Sequence, residues 1–335
     1  MPDGRGRALA SQDGTATEEA GMAGLLDTLT GLLGYLAGHS YRVVERLAGQ
    51  ASLFLLVLAV LIAAVVLVAR WVARHPERVQ AFADRQLSRP RVARLRAGQL
   101  AFLVRWLHPA LGLSLTLTLL VLLAAGWAFA AVLEDVVARN ELATWDQPVA
   151  GFVLAHREPW LTTVMRAVTE LGSPTVLAPL IAVIGLAWWR RTGSWRPLAL
   201  LTAAGLGAWL LAGGIKLLID RQRPPAATDL AGHLTGYAFP SGHATTAMAV
   251  YGMLAALLAA TPRWGRKVTA WAAALILALL VAASRVYLGA HWLTDVLGGL
   301  ALGATWLFAL LGLTRLYQPL LDRRRLRNER TTSPG

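Results

Sequence analysis

Three short segments of this chain carry residues able to grip and attack a phosphate group. The first holds Lys216 and, seven residues on, Arg223-Pro224; the second is Pro240-Ser241-Gly242-His243; the third holds Arg285, His291 and Asp295. Lys216 lies in an otherwise apolar run. A buried ammonium in a bilayer costs about 2.5–3.5 kcal/mol on insertion scales, so it needs a partner or a function. Seven residues is close to two helical turns, and the spacing predicts that Lys216 and Arg223 share a helix face until Pro224 and Pro225 stop the helix. Two cations on one face suit an anion. By itself the segment fits snorkelling toward headgroups equally well.

The second segment opens an apolar run. Ser241 is an expected N-cap, and a helix N-terminus with close backbone access at Gly242 is an anion site. His243 would stand beside that anion as a proton donor. In the third segment His291 and Asp295 are four apart and expected to be neighbours on a helix. A carboxylate on one ring nitrogen fixes the tautomer and frees the other nitrogen to attack. Arg285, six residues before His291, has the planar fork that suits phosphate oxygens. An ordinary capping turn and a stabilising His–Asp pair would account for the last two segments taken singly. Together they supply three cations, a helix start, two histidines and one orienting carboxylate. No group of carboxylates suited to Mg²⁺ or Ca²⁺ accompanies them, so the inventory is that of a phosphate site without metal or cofactor.

These segments resemble the three signature motifs of the type 2 phosphatidic acid phosphatase superfamily. The pattern is Lys, six residues, Arg-Pro; then Pro-Ser-Gly-His; then Ser-Arg, five residues, His, three residues, Asp. Every fixed position is matched, and the resemblance covers roughly residues 105–315. It implies that His291 is the nucleophile that becomes a phosphohistidine. Asp295 orients it, and His243 is general acid and then general base. Lys216, Arg223, Ser241, Gly242 and Arg285 form the phosphate cradle. The implied substrates are lipids such as undecaprenyl pyrophosphate, phosphatidic acid or phosphatidylglycerol phosphate. A phosphotransferase of the same fold is the alternative, and a non-catalytic transporter or scaffold is a more distant one. His39, His75, His108 and His156 lack such context, and His233 sits between motifs where it could reach substrate.

The elements that position these residues are apolar helices. Hydrophobic residues make up 56% of the 335 and charged ones only 15%, against about 45–50% and about 25% in soluble domains. Seven apolar runs approach the 17–25 residues, roughly, that a spanning helix needs: 51–69, 110–133, 173–189, 197–219, 244–260, 268–284 and 293–314. The expected fold is all-α: a polytopic membrane helix bundle with a six-helix phosphatase core at 106–316 and one extra N-terminal transmembrane helix at 51–69. Residues 1–50 form a polar or interfacial segment of open sidedness, with no apolar core that reads as a cleaved signal. Residues 70–105 read as a basic cytoplasmic linker, and 317–335 as a basic cytoplasmic tail fraying over its last five residues. Residues 134–172 read as an outer loop with one or two amphipathic helices.

Lys plus Arg number 32 and Asp plus Glu 19, a formal net charge of +13. The cations crowd the 70–105 stretch, the 188–196 and 260–267 turns and the tail, which alternation of the helices places on one side. By the positive-inside rule that side is the cytoplasm. The three motifs then face the periplasmic or extracellular side of the cell (inner) membrane. The basic loops match anionic headgroups rather than nucleic acid. With no cysteine, disulfides and thiolate chemistry are excluded. The expected partners are a phosphorylated membrane lipid and a bilayer with anionic headgroups, with oligomeric state left open.

Overall fold

The computed structural model describes residues 52–78, 81, 109–225, 229–232, 235–260 and 263–332, the side chains of 52–57, 61, 109–113 and 317–332 excepted. His39, His108, His233 and most of the 70–105 segment fall outside them. A compact unit runs from Leu56 to Gly335. The described regular elements are all helical: α1 (Ser52–Arg74), α2 (Pro109–Ala138), a 3-10 turn (Glu141–Trp145), α3 (Asp146–Ala155), α4 (Pro159–Glu170), α5 (Pro174–Thr192), α6 (Arg196–Ile219), α7 (Gly242–Leu258), α8 (Trp264–Tyr287) and α9 (Leu293–Thr332).

Four stretches are long and apolar enough to cross a membrane: Ser114–Ala138, Arg196–Ile219, Trp264–Tyr287 and Leu293–Leu316. The α4–α5 pair forms a fifth, bent by 47° at its break. The chain is a multi-pass membrane protein. Prolines open α4 and α5, where a missing N–H costs nothing. Of the one or two amphipathic helices expected within 134–172, α4 is the one with a segregated apolar face. On α4, Leu161 and Met165 are buried while Trp160 and Val164 face out.

At seventeen residues α7 is shorter than a typical span, yet ten of its residues are buried. It is enclosed on two faces. Ala247, Val250 and Tyr251 pack with Leu177 of α5 and Ala274 and Val281 of α8. Ala249 and Met253 pack with Leu201, Ala204 and Ala208 of α6 and Leu307 of α9. In lipid, apolar side chains gain little by leaving apolar solvent, so close backbone approach must hold helices together. Glycine provides it: a Cβ on Gly303 of α9 would stand 2.5 Å from the carbonyl oxygen of Thr245, and one on Gly299 2.7 Å from that of Ser241. Half of the α9 window is buried, against 17% of that in α2, so α9 is the axis on which the site is built. Its backbone continues as helix to Thr332, past the start expected for a tail at 317.

Candidate active site

The three motifs meet at one end of the bundle. The first departs from expectation in its local form. Helix α6 ends at Ile219, before the prolines, because Asp220 takes a left-handed conformation (φ 48°) and returns its N–H to the Lys216 carbonyl. Lys216 and Arg223 therefore do not share a helix face. The chain leaves the helix and folds back over it. Lys216 Nζ donates to the carbonyls of Tyr237 (2.6 Å) and Ala238 (3.2 Å). Arg223 donates through Nε to Gly236 O (2.9 Å) and through Nη1 to Ala290 O (2.8 Å). Both cations are thus anchored to the strand of loop that carries Pro240 and Ser241. Fully buried Phe239, packed with Val132 and Val136 of α2, pins that loop.

Ser241 occupies the N-cap position of α7 but makes no side-chain cap bond. Its backbone N–H donates to Asp295 O at 2.9 Å, which ties the start of α7 to the first turn of α9. Its Oγ is buried without a hydrogen-bond partner, and so is Nε of Arg285. Both atoms lie in the motifs and are turned inward, so each has a hydrogen-bonding position to offer. A side chain at Gly242 would meet only open space. His243 follows on the first turn, within electrostatic range of Arg285, His291, Lys216 and Arg223. The α4–α5 break presses against it: a Cβ on Gly172 would lie 3.1 Å from His243 O.

Arg285 is on the last turn of α8, 3% exposed, with Nη1 donating to Thr169 Oγ1 of α4 at 2.9 Å. His291 lies before α9 rather than on it. Its closeness to Asp295 comes from a capping turn, in which Trp292 N donates to Asp295 Oδ2 at 2.9 Å. The same Oδ2 faces His291 Nδ1 at 3.4 Å, and Arg223 Nη1 faces Nε2 at 3.3 Å. Catalytic hydrogen bonds are often this long without substrate. Burial pushes the His291 pKa well below its ordinary value, and the charges of Arg285, Lys216 and Arg223 push the same way. The ring is held neutral, the form with a free lone pair. Burial likewise lowers Arg223, opposed by Asp295 and Asp229.

Two participants were invisible in the motifs. Asp146, at the start of α3, and Arg221, between Lys216 and Arg223, form an ion pair, and Arg221 also bonds Asp295 Oδ1 at 2.6 Å. The one available signal was an acidic residue in a loop otherwise read as amphipathic cover. His75 and His156 bond the carbonyls of Trp71 and Phe152 within their own helical turns and belong to no such cluster.

A model of the PAP2 superfamily matches residues 196–317, the stretch from α6 to α9 that contains all three motifs. Phosphatidylglycerophosphatase B of Bacillus subtilis is 35% identical over 186 residues, 55% of this chain and 90% of that protein. The chain belongs to the PAP2 superfamily. An undecaprenyl-diphosphatase of Sulfolobus acidocaldarius is 41% identical over 70 residues, 21% of this chain and 30% of that one. The crystal structure of the PAP2 type phosphatidylglycerolphosphate phosphatase from Bacillus subtilis superposes with a TM-score of 0.54 at 31% identity, covering 59% of this chain and 97% of that one. This PAP2 chain is a multi-pass membrane phosphatase, and α1 with the residues before it stands outside the stretch matched by the PAP2 family model.

Proposed function

We propose that this phosphatase hydrolyses the phosphate or pyrophosphate ester of a membrane lipid through a phosphohistidine on His291. The observation that carries the reading is the His291 ring itself, buried and neutral, with Nδ1 toward Asp295 and Nε2 beside Arg223. In the first step Nε2 attacks phosphorus and the bond to the lipid oxygen breaks. His243 gives its proton to that oxygen, since an unprotonated alkoxide or phosphate is a poor leaving group. In the second step His243 takes a proton from water, whose oxygen attacks phosphorus. The P–N bond breaks, and inorganic phosphate leaves. Lys216, Arg223 and Arg285, with Ser241 Oγ and the backbone at Gly242, hold the phosphoryl oxygens while charge builds on them.

A site at one end of the bundle suits a substrate whose tail stays in lipid. The opposite helix ends carry Arg190 and Arg191 on α5, Arg196 on α6, and Arg266 and Lys267 on α8. Excess Lys and Arg marks the cytoplasmic end and favours anionic headgroups there. That distribution supports a catalytic end facing the periplasm or exterior, with the C-terminus in the cytoplasm.

The test is phosphate release in detergent with EDTA present, from phosphatidylglycerol phosphate, undecaprenyl pyrophosphate and phosphatidic acid, beside a His291→Ala control. Release by the unaltered chain alone is expected, and the ranking of rates identifies the lipid class. Comparable release by His291→Ala would remove the nucleophile assignment.

A further inference from the structure

Asp146 lies outside all three phosphate-binding segments, yet it is 3% exposed and fully engaged. Its Oδ1 accepts from Thr294 N at 2.9 Å. Its Oδ2 accepts from Thr294 Oγ1 at 2.7 Å and from Nη2 of Arg221. Arg221 turns its other terminal nitrogen to Thr294 Oγ1 at 2.7 Å and to Asp295 Oδ1 at 2.6 Å. Asp295 is wholly buried and passes the contact on to His291 through Oδ2.

Two buried carboxylates in one hydrogen-bonded group repel each other unless a cation stands between them. Arg221 is that cation, and its planar fork lets it serve both without moving. Thr294 completes the arrangement: its single hydroxyl proton goes to Asp146, so its lone pair is left for Arg221. Asp295 has two oxygens with separate duties. Oδ1 is held by Arg221, and only Oδ2 is left for the histidine and for Trp292 N. The rotation of the carboxylate, and with it the direction of the Nδ1 contact, is therefore set from the Asp146 side.

We propose that Asp146 and Arg221 are positioning residues for the reaction, holding Asp295 in the orientation that presents Nε2 of His291 to phosphorus. The proposal rests on the reading of His291 as nucleophile. It differs from a purely structural staple between α3 and α9, because the pair acts on the reactivity of one ring nitrogen. A cleft of about 650 Å³, lined by Asp146, Gln147, Arg221, Gln222 and Trp292, reaches the pair from the side. The Arg221 side chain is 17% exposed, so a small cation can enter the space it would leave.

The experiment is chemical rescue of the full-length Arg221→Ala protein. Phosphate release is measured from a phosphorylated lipid, with guanidinium chloride or sodium chloride at equal ionic strength, alongside melting temperature. Loss of an orienting contact to a reacting group costs about 10–100-fold, and such a loss falls on kcat rather than KM. We expect kcat to drop by about that factor with KM little changed. Guanidinium, and not sodium, should restore a measurable part of it. Asp146→Asn, of the same size, should also lower kcat, by more than its fall in melting temperature accounts for. A kcat unaffected by either change overturns the proposal. So does a loss that tracks melting temperature and ignores guanidinium. His291→Ala run in parallel separates the two readings: if it stays active the nucleophile assignment fails, and if it is inactive while Arg221→Ala is not rescued, only the positioning role fails.

Discussion

Arg223 Nη1 stands 3.3 Å from Nε2 of His291 while the same nitrogen donates to Ala290 O at 2.8 Å. One guanidinium thus fixes the backbone beside the histidine and lies next to the nitrogen assigned to attack. Lysine offers a point charge and cannot hold Gly236 O, Ala290 O and a phosphoryl oxygen at once. Arg223→Lys should lower kcat/KM by about 100–1000-fold, the scale of one lost charge-stabilising donor. Steady-state phosphate release measures it, and a value within twofold of the unaltered protein, roughly, would contradict the assignment.

Ser241→Ala should separate stability from binding. The Ser241 hydroxyl is buried and has no hydrogen-bond partner in the protein, and exchanging an unsatisfied polar group for a methyl is neutral or stabilising. Its melting temperature should stay level or rise. A hydrogen bond to a charged group contributes about 1.5–3 kcal/mol, so affinity for orthovanadate, a phosphate mimic, should fall by about tenfold or more. Equal vanadate affinity would place the hydroxyl outside the cradle.

Stability should fall in mild acid because of His291. Burial lowers its folded pKa well below the usual value, while the unfolded ring titrates near 6.5, approximately. Between those limits the unfolded chain binds a proton that the folded one refuses. Stability is therefore complete above about pH 6.5 and is lost as pH falls toward the folded value, by up to about 1.4 kcal/mol per pH unit for one proton. Melting temperatures in detergent from neutral pH downward should decline, and His291→Gln should make the decline shallower, with the remainder coming from His243, which burial lowers to about 3. Parallel curves for the two proteins would refute the buried neutral ring.

Gly303→Ala should push α9 off α7. The added methyl meets the Thr245 carbonyl at 2.5 Å and Met248 Cβ at 2.9 Å, and backbone cannot rotate aside. Overpacking of this kind costs about 1–3 kcal/mol. Because α7 carries His243 and the turn into α9 carries His291, the shift also separates the proposed acid from the proposed nucleophile. Both melting temperature and kcat should drop. A normal melting temperature would mean that the helices do not approach this closely.

Most helical runs were legible from the chain alone, although the six spans expected from 106 onward appear among the described residues as four long apolar helices, or five with the bent α4–α5 pair, beside the shorter α7. Apolar length needs no tertiary partner to be read, and motif residues sit at short fixed spacings. Even there the local geometry differed. The Lys216–Arg223 spacing suggested one helix face, whereas Asp220 ends the helix and the loop brings both cations to the site. Ser241 had the form of a cap, yet its hydroxyl makes no cap bond. Asp146 and Arg221 could not be found from spacing. Arg221 reaches Asp295 across 74 positions, and Asp146 reaches Thr294 across 148. Such pairs have no local period, and only close packing of α3 against the start of α9 excludes water enough to make two carboxylates and one guanidinium a unit. Residue types and their order along the chain were enough to indicate a membrane phosphatase of the PAP2 superfamily. Which oxygen faces which nitrogen was decided by burial, which exists only once the helices have met.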